Sequence, residues 1–272
     1  ITASDLNLFA GASTTSSGGG IHLHSGAGSA TSSGIVTIKS TNAGASGTSG
    51  AVSLLSGKAT FGVSGSLDLQ SGDSLEGDTG SISVSTGDAT SGTAGSISMT
   101  VGDSDTASGG ALSLTSGTSS SATGTGGDIT ITSGVGLAAS GSVSVLSGDS
   151  VTSGDVLVSS GGSTTSPSGV TDIRTGDASV SRAGDINIEP GNSGNDDGAD
   201  VTISSGASTS GTSGGISIGS VDGTTGSGTV TIQSGDADGA DSGTVLISTG
   251  ISASGDSGDL ILSTGSSDTA YG

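Results

Sequence analysis

An aliphatic pair returns in this chain every 15 residues, and that period constrains what the sequence can fold into more than any other feature. The phrase Gly80-Ser-Ile-Ser-Val-Ser-Thr-Gly-Asp88 recurs as Gly65-Ser-Leu-Asp-Leu-Gln-Ser-Gly-Asp73, Gly141-Ser-Val-Ser-Val-Leu-Ser-Gly-Asp149 and Gly228-Thr-Val-Thr-Ile-Gln-Ser-Gly-Asp236. Within it, two aliphatic residues alternate with polar ones between glycines. That pattern reads as a short strand with one buried and one wet face, bounded by turns.

Aligned on its first aliphatic residue, the repeat gives a ladder of first rungs: Leu6, Ile21, Val36, Val52, Leu67, Ile82, Ile97, Leu112, Ile129, Val143, Val156, Thr171, Ile186, Val201, Ile216, Val230, Val245 and Leu260. A second rung stands two residues after each, from Leu8 to Leu262, and only Thr171 breaks the aliphatic character. The usual step is 15 residues; steps of 17, 14 and 13 follow one another between Leu112 and Val156 and nearly cancel. Composition by itself points elsewhere: 55 glycines, 29% hydrophobic and 1% aromatic residues suit a flexible linker or a disordered tract. The register argues for order, because a disordered chain has no use for it.

Glycine keeps the same period. It stands five residues after the first rung, as at Gly72, Gly87, Gly102 and Gly117, and two before it, as at Gly50, Gly65, Gly80 and Gly95. These positions read as corners that need positive φ. Seven residues after the rung the side chain is small, as at Ser13, Ala43, Ala59, Ser74, Ala89 and Ser104. A small column opposite an aliphatic one implies a thin core, one side chain deep. A single 15-residue repeat cannot bury its own pair, whereas stacked repeats cover one another. The fold expected is therefore all-β: one continuous β-solenoid over 1–272, of the parallel β-helix type, with about 18 coils of about 15 residues. Ile82, Val84, Ile97 and Met99 would be stacked inside. The first and last coils keep the consensus and lack polar caps, so the array reads as a segment of a longer chain or filament.

Charge narrows the partners. Net charge is −21, from 23 Asp and 2 Glu against Lys39, Lys58, Arg174 and Arg182. Such a surface repels phosphate backbones and anionic headgroups, so neither nucleic-acid binding nor membrane insertion is expected. Cysteine is absent, which excludes disulfides and thiolate metal sites. No apolar run approaches the roughly 20 residues of a membrane helix. No asparagine lies in an N-x-S/T sequon, while hydroxyls open to O-glycosylation are many.

Three constellations carry candidate chemistry. Gly211-Thr-Ser-Gly-Gly215 matches the nucleophile pattern G-x-S-x-G, but His22 and His24, the only histidines, lie many repeats away, and no catalytic residue is assigned. His22 and His24 flank Leu23 and point outward together; two imidazoles alone make a weak metal site, and simple exposure explains them. Asp73, Asp88 and Asp103 take the same place in three consecutive repeats. Stacked about 5 Å apart they would repel, and a hard cation such as calcium would relieve this. Each could equally hydrogen-bond its own turn. Calcium is thus the one candidate cofactor.

The phrase Gly-x-Φ-x-Φ-x-Ser/Thr-Gly-Asp, as in 80–88, resembles the Ser/Thr/Gly-rich β-solenoid arrays of secreted surface fibres and adhesins, including repeat proteins of unicellular algae, and the resemblance runs through the whole chain. It implies an extracellular structural role at the cell surface. The function expected is a fibre-forming repeat protein, not an enzyme, self-associating end to end by coil stacking. Glycans and other surface matrix proteins are further candidate partners. An adhesin stalk is one alternative. An ice-binding solenoid is another, although ice binding wants flat Thr rows and the residues between the rungs read Asn7, His22, Thr37, Ser53, Asp68.

Overall fold

One bend per repeat is the feature that the backbone takes directly from the sequence. In the computed structural model, which describes residues 4–194 and 196–266, bends fall at 14–16, 29–31, 45–46, 60–62, 75–77, 90–92 and 105–107, and continue at similar spacing to 253–255. They lie about eight to ten residues after each first rung, opposite the aliphatic phrase. The chain divides into two units, Ile1–Ser140 and Gly141–Gly272, and the same repeat runs through each.

What closes the bends is a neck. In thirteen repeats the glycine two residues before a first rung lies against the residue four after the preceding one: Gly19, Gly34, Gly50, Gly65, Gly80, Gly95 and Gly110, then Gly127, Gly169, Gly184, Gly214, Gly228 and Gly243. A Cβ at Gly34 would stand 3.3 Å from the Ser25 Cβ, and one at Gly110 only 2.7 Å from Val101 Cγ1. A Cβ is crowded at Gly19, Gly34 and Gly110, whereas at necks such as Gly50, Gly65 and Gly80 it would meet the facing residue only at ordinary contact distance. In four repeats the neck also holds a backbone hydrogen bond. Gly19 donates to Gly11 at 2.8 Å, Gly34 to Gly26 at 2.9 Å, Gly127 to Gly117 at 2.9 Å and Gly214 to Gly206 at 3.0 Å. Ser116 Oγ adds a bond to the Gly127 carbonyl at 2.7 Å.

The small residue seven after the rung is set by the bend. Ser13, Ser74, Ser104, Ser163, Ser193, Ser208 and Ser252 each accept, through Oγ, the N–H three residues on, at 2.8–3.2 Å. This is the local side chain to backbone bond by which serine favours a turn over a strand. Where the position is Gly28, Gly136 or Gly223, a Cβ would run into the carbonyl oxygen of Ser32, Ala139 or Gly226 respectively. In the loop beginning at Ala59, Gly62 turns the chain instead, with φ at +99°.

The β-solenoid expectation is overturned: among the described residues there is no helix and no strand. A solenoid needs ladders of N–H···O=C bonds between successive coils. The backbone bonds found span three to ten residues and stay inside one loop. Nor is there a thin aliphatic core, for no described residue is buried. Ile82 and Ile97 are 51% exposed, Val84 60% and Met99 64%. The glycines five after the rung are not left-handed corners either; those at Gly72, Gly87, Gly102 and Gly117 have no positive φ and meet no neighbour within 4 Å on the side where a Cβ would stand.

The physical reason lies in what stacking would demand. Ordering each residue costs about 1–2 kcal/mol, against about 1.5–3 kcal/mol for fully burying one aliphatic side chain. Two such residues in 15 fall far short. In-register stacking would also set Asp73, Asp88 and Asp103 about 5 Å apart in a chain already at −21. Local bends satisfied by serine hydroxyls and neck glycines impose neither demand. The outcome is an accessible surface of 26,744 Å², against about 10,000 Å² for a close-packed chain of this mass.

Candidate functional site

Among the described residues the least exposed positions stand four residues after a first rung, most of them at necks, and the aliphatic rungs come second. Ala10, Ser40, Ser71, Ser116, Ser133, Ser147, Pro190 and Ser234, each four residues after a first rung, are half-buried, and among the described residues Ala59 is the one other half-buried position. First rungs inside the array, such as Val52, Val156 and Ile216, keep about half their surface. Aliphatic and aromatic residues out of register fare differently: Phe61, Val63, Val135 and Val180 are fully exposed. Leu6, in the first repeat, is 87% exposed where Ile21 is 52%. Neighbouring repeats therefore shield the registered rungs in part, and the result is a repeated, half-exposed aliphatic pair.

The candidates named from sequence do not gather. Among the described residues, no group of three or more His, Asp or Glu side chains is placed to hold a metal ion. Asp73, Asp88 and Asp103 stand in separate repeats just before three successive bends, all exposed. Ser74 and Ser104, next to Asp73 and Asp103, supply the bend bonds themselves, so these turns close without the carboxylates. His22 and His24 lie on the same side of the chain with their rings nearly parallel, 13° apart in plane and 6.1 Å between centroids. Both imidazoles are exposed.

The G-x-S-x-G match has a plain structural role. Gly211 donates to Ser208 Oγ at 2.8 Å, which makes the bend, and Gly214 donates to the Gly206 carbonyl at 3.0 Å, which makes the neck. A nucleophile elbow needs a strand before the serine and a helix after it. Neither is present among the described residues, so Ser213 sits in an ordinary loop closure.

Charge pairing is sparse. Arg174 bonds Asp172 two residues away, and Arg182 bonds Asp185 at 2.6 Å, both on the surface. Exposed pairs of this kind contribute little to stability. They leave most of the carboxylates without a cationic partner. Two shallow, open hollows follow the loops. One is lined by Ser56, Gly57, Lys58, Ala59, Gly62 and Ser64, the other by Glu189, Pro190, Gly191, Asn192, Ser193, Gly198 and Ala199. Neither converges several titratable groups on one point, as a reaction centre must. No helix of the described residues is long and apolar enough to cross a membrane.

No protein-family model, curated protein or solved structure matches the chain. The repeat is thus read on its own geometry: a neck, a bend and a half-exposed aliphatic pair, written again and again. Sequence reasoning missed the neck. Its signal was the frequent pairing of a hydroxyl four residues after one rung with a glycine two before the next, as in Ser25/Gly34 and Ser205/Gly214, with exceptions such as Ala10 and Val101.

Proposed function

We propose that this chain is a structural tandem-repeat protein of extracellular surface fibres, which associates with further copies through its aliphatic rungs. The observation that carries this reading is the repeated aliphatic pair, which keeps its register along the sequence, is shielded only in part by neighbouring repeats and stays half-exposed in nearly every repeat. Soluble chains seldom leave so much apolar surface repeated in one pattern unless something covers it. A second copy carries the same pattern at the same period, so one matched pair of repeats places its neighbours in register too. Such multivalent contact gains strength from linkage without any single strong contact.

The acidic loops suit the role. At −21 the chain repels other copies except where apolar contact outweighs the charge, which favours ordered association over general clumping. Added salt should then strengthen assembly by screening. Concentration-dependent light scattering followed by negative-stain microscopy tests the reading. Fibres or ribbons that grow with concentration and salt are the expected result. Monomers that persist at high concentration and high salt reject it.

A further inference from the structure

We propose that each repeat stores length, so that the chain is an extensible tether whose loops open one neck at a time under tension. This rests on the structural reading above and concerns a single chain, before any association. The neck brings together two backbone points eight residues apart in Gly11–Gly19, Gly26–Gly34 and Gly206–Gly214, and ten apart in Gly117–Gly127. Eight residues span roughly 26–29 Å when extended. A closed, hydrogen-bonded neck holds its two Cα atoms about 5.5 Å apart. Opening one neck therefore releases roughly 20–25 Å.

Three features make the neck the element that yields. It lies in series with the chain, because the loop is bridged at its base and tension on the flanking phrases falls on that bridge. Its hold is slight: one backbone hydrogen bond at Gly34 or Gly214, and no backbone hydrogen bond at Gly65 or Gly80. Moreover, no backbone bond among the described residues joins the rungs of one repeat to those of the next, so nothing shunts load around a neck.

Reclosure is equally simple. The loops at 11–19 and 206–214 consist of small and hydroxyl side chains, with nothing bulky to disentangle. Loops of this length close in about 10–100 ns. Extension and recoil should therefore coincide, and the length should appear as a smooth excess over a plain polymer instead of a sawtooth. The four hydrogen-bonded necks together release roughly 80–100 Å.

The test is a low-force extension of the full chain, tethered singly at both ends, where copies never meet. Failure to form fibres thus leaves this result untouched, and failure here leaves fibre formation untouched. The expected curve departs from that of a featureless polymer of equal contour by the stored length, without hysteresis. Replacing Gly19, Gly34, Gly127 and Gly214 together by Pro removes the four neck donors and should reduce the stored length by roughly 80–100 Å. Gly87→Ala, at a position where a Cβ meets no neighbour within 4 Å, should leave it unchanged. A featureless curve, a stored length unaffected by the four prolines, or an equal loss in Gly87→Ala overturns the proposal. Amide exchange in the unaltered chain is the second check: the N–H groups of Gly19, Gly34, Gly127 and Gly214 should exchange more slowly than that of Gly87, and equal rates overturn the proposal too.

Discussion

The neck and the rungs of one repeat make opposite use of their side chains. At Ser25 and Gly34 the residues are small and polar, yet the chain closes on itself there, with a bond between Gly34 and Gly26. At Ile21 and Leu23, in the same repeat, the side chains are the most hydrophobic available, yet half or more of each remains in solvent. Contact in this chain follows what the backbone can bring together over eight residues, whereas hydrophobicity needs partners that the chain does not place nearby. An aliphatic period is thus a statement about pattern; burial requires a second surface.

The largest effect should come from testing the rungs in association. Val84→Asp, with the matching change at several second rungs such as Val145 and Ile203, should leave the isolated chain almost unaltered, within about 0.5 kcal/mol per site, because these positions are already exposed. Assembly should suffer heavily. Losing the burial of even one such side chain is worth about 1.5 kcal/mol, roughly tenfold in association. Scattering thresholds for the variant and for Ser83→Asp, one residue away, separate the two effects. Equal thresholds would mean that the rungs are not the associating surface. A loss of structure in the isolated Val84→Asp chain would mean that they are buried after all.

The neck predicts a smaller, local effect. Gly34→Pro removes a donor and Gly34→Val intrudes on Ser25, and each should open the 26–34 loop at a cost of about 1 kcal/mol. Chemical shifts and amide exchange across residues 26–34 should change, while those of the 206–214 loop stay as they were. A response that spread to distant repeats would reveal coupling that the local bonding pattern does not contain.

Smaller still is the bend. Ser74→Ala and Ser208→Ala should each loosen one bend by about 0.5–1 kcal/mol, at the low end for exposed hydroxyls. The converse is sharper. Ala89→Ser places a hydroxyl where seven other loops use one, and the N–H of Gly92 should then exchange more slowly. No change at Gly92 would show that serine is tolerated at this position without shaping it.

How much of this was legible beforehand differs by residue. The 15-residue period and the polar stretch between aliphatic phrases could be read from Gly80–Asp88 and its echoes, but the corners expected at the glycines are replaced by one bend eight to ten residues after the first rung. The error arose at Ile82 and Val84. Alternation of apolar and polar residues signals a strand only when another strand stands within reach, and nothing in one 15-residue phrase reports whether stacking outweighs chain entropy. Ser74 and Ser104 misled differently. Smallness suggested a core wall, whereas the hydroxyl was serving the backbone three residues on. The candidate residues fared as short-range signals do: His22 and His24 do share one side of the chain, but Asp73, Asp88 and Asp103 depended on a stacking that sequence could not guarantee.

Those aspartates give the smallest predicted effect. Each stands before its own bend, and among the described residues no three His, Asp or Glu side chains gather to hold a metal ion. Calcium sites of useful affinity need six to eight oxygen ligands in one place. Calcium should therefore act on this chain as a screening counter-ion for the whole acidic surface, weakly and without fixed stoichiometry. Replacing Asp73, Asp88 and Asp103 by Asn takes the net charge from −21 to about −18 and should weaken calcium uptake only in that proportion. Calorimetric titration at low and moderate ionic strength distinguishes the cases. Uptake that fades with added monovalent salt fits dispersed carboxylates. A saturating site that survives salt and vanishes in the triple variant would instead show that association brings the three repeats into register, and would return the aspartates to the centre of the assembled form.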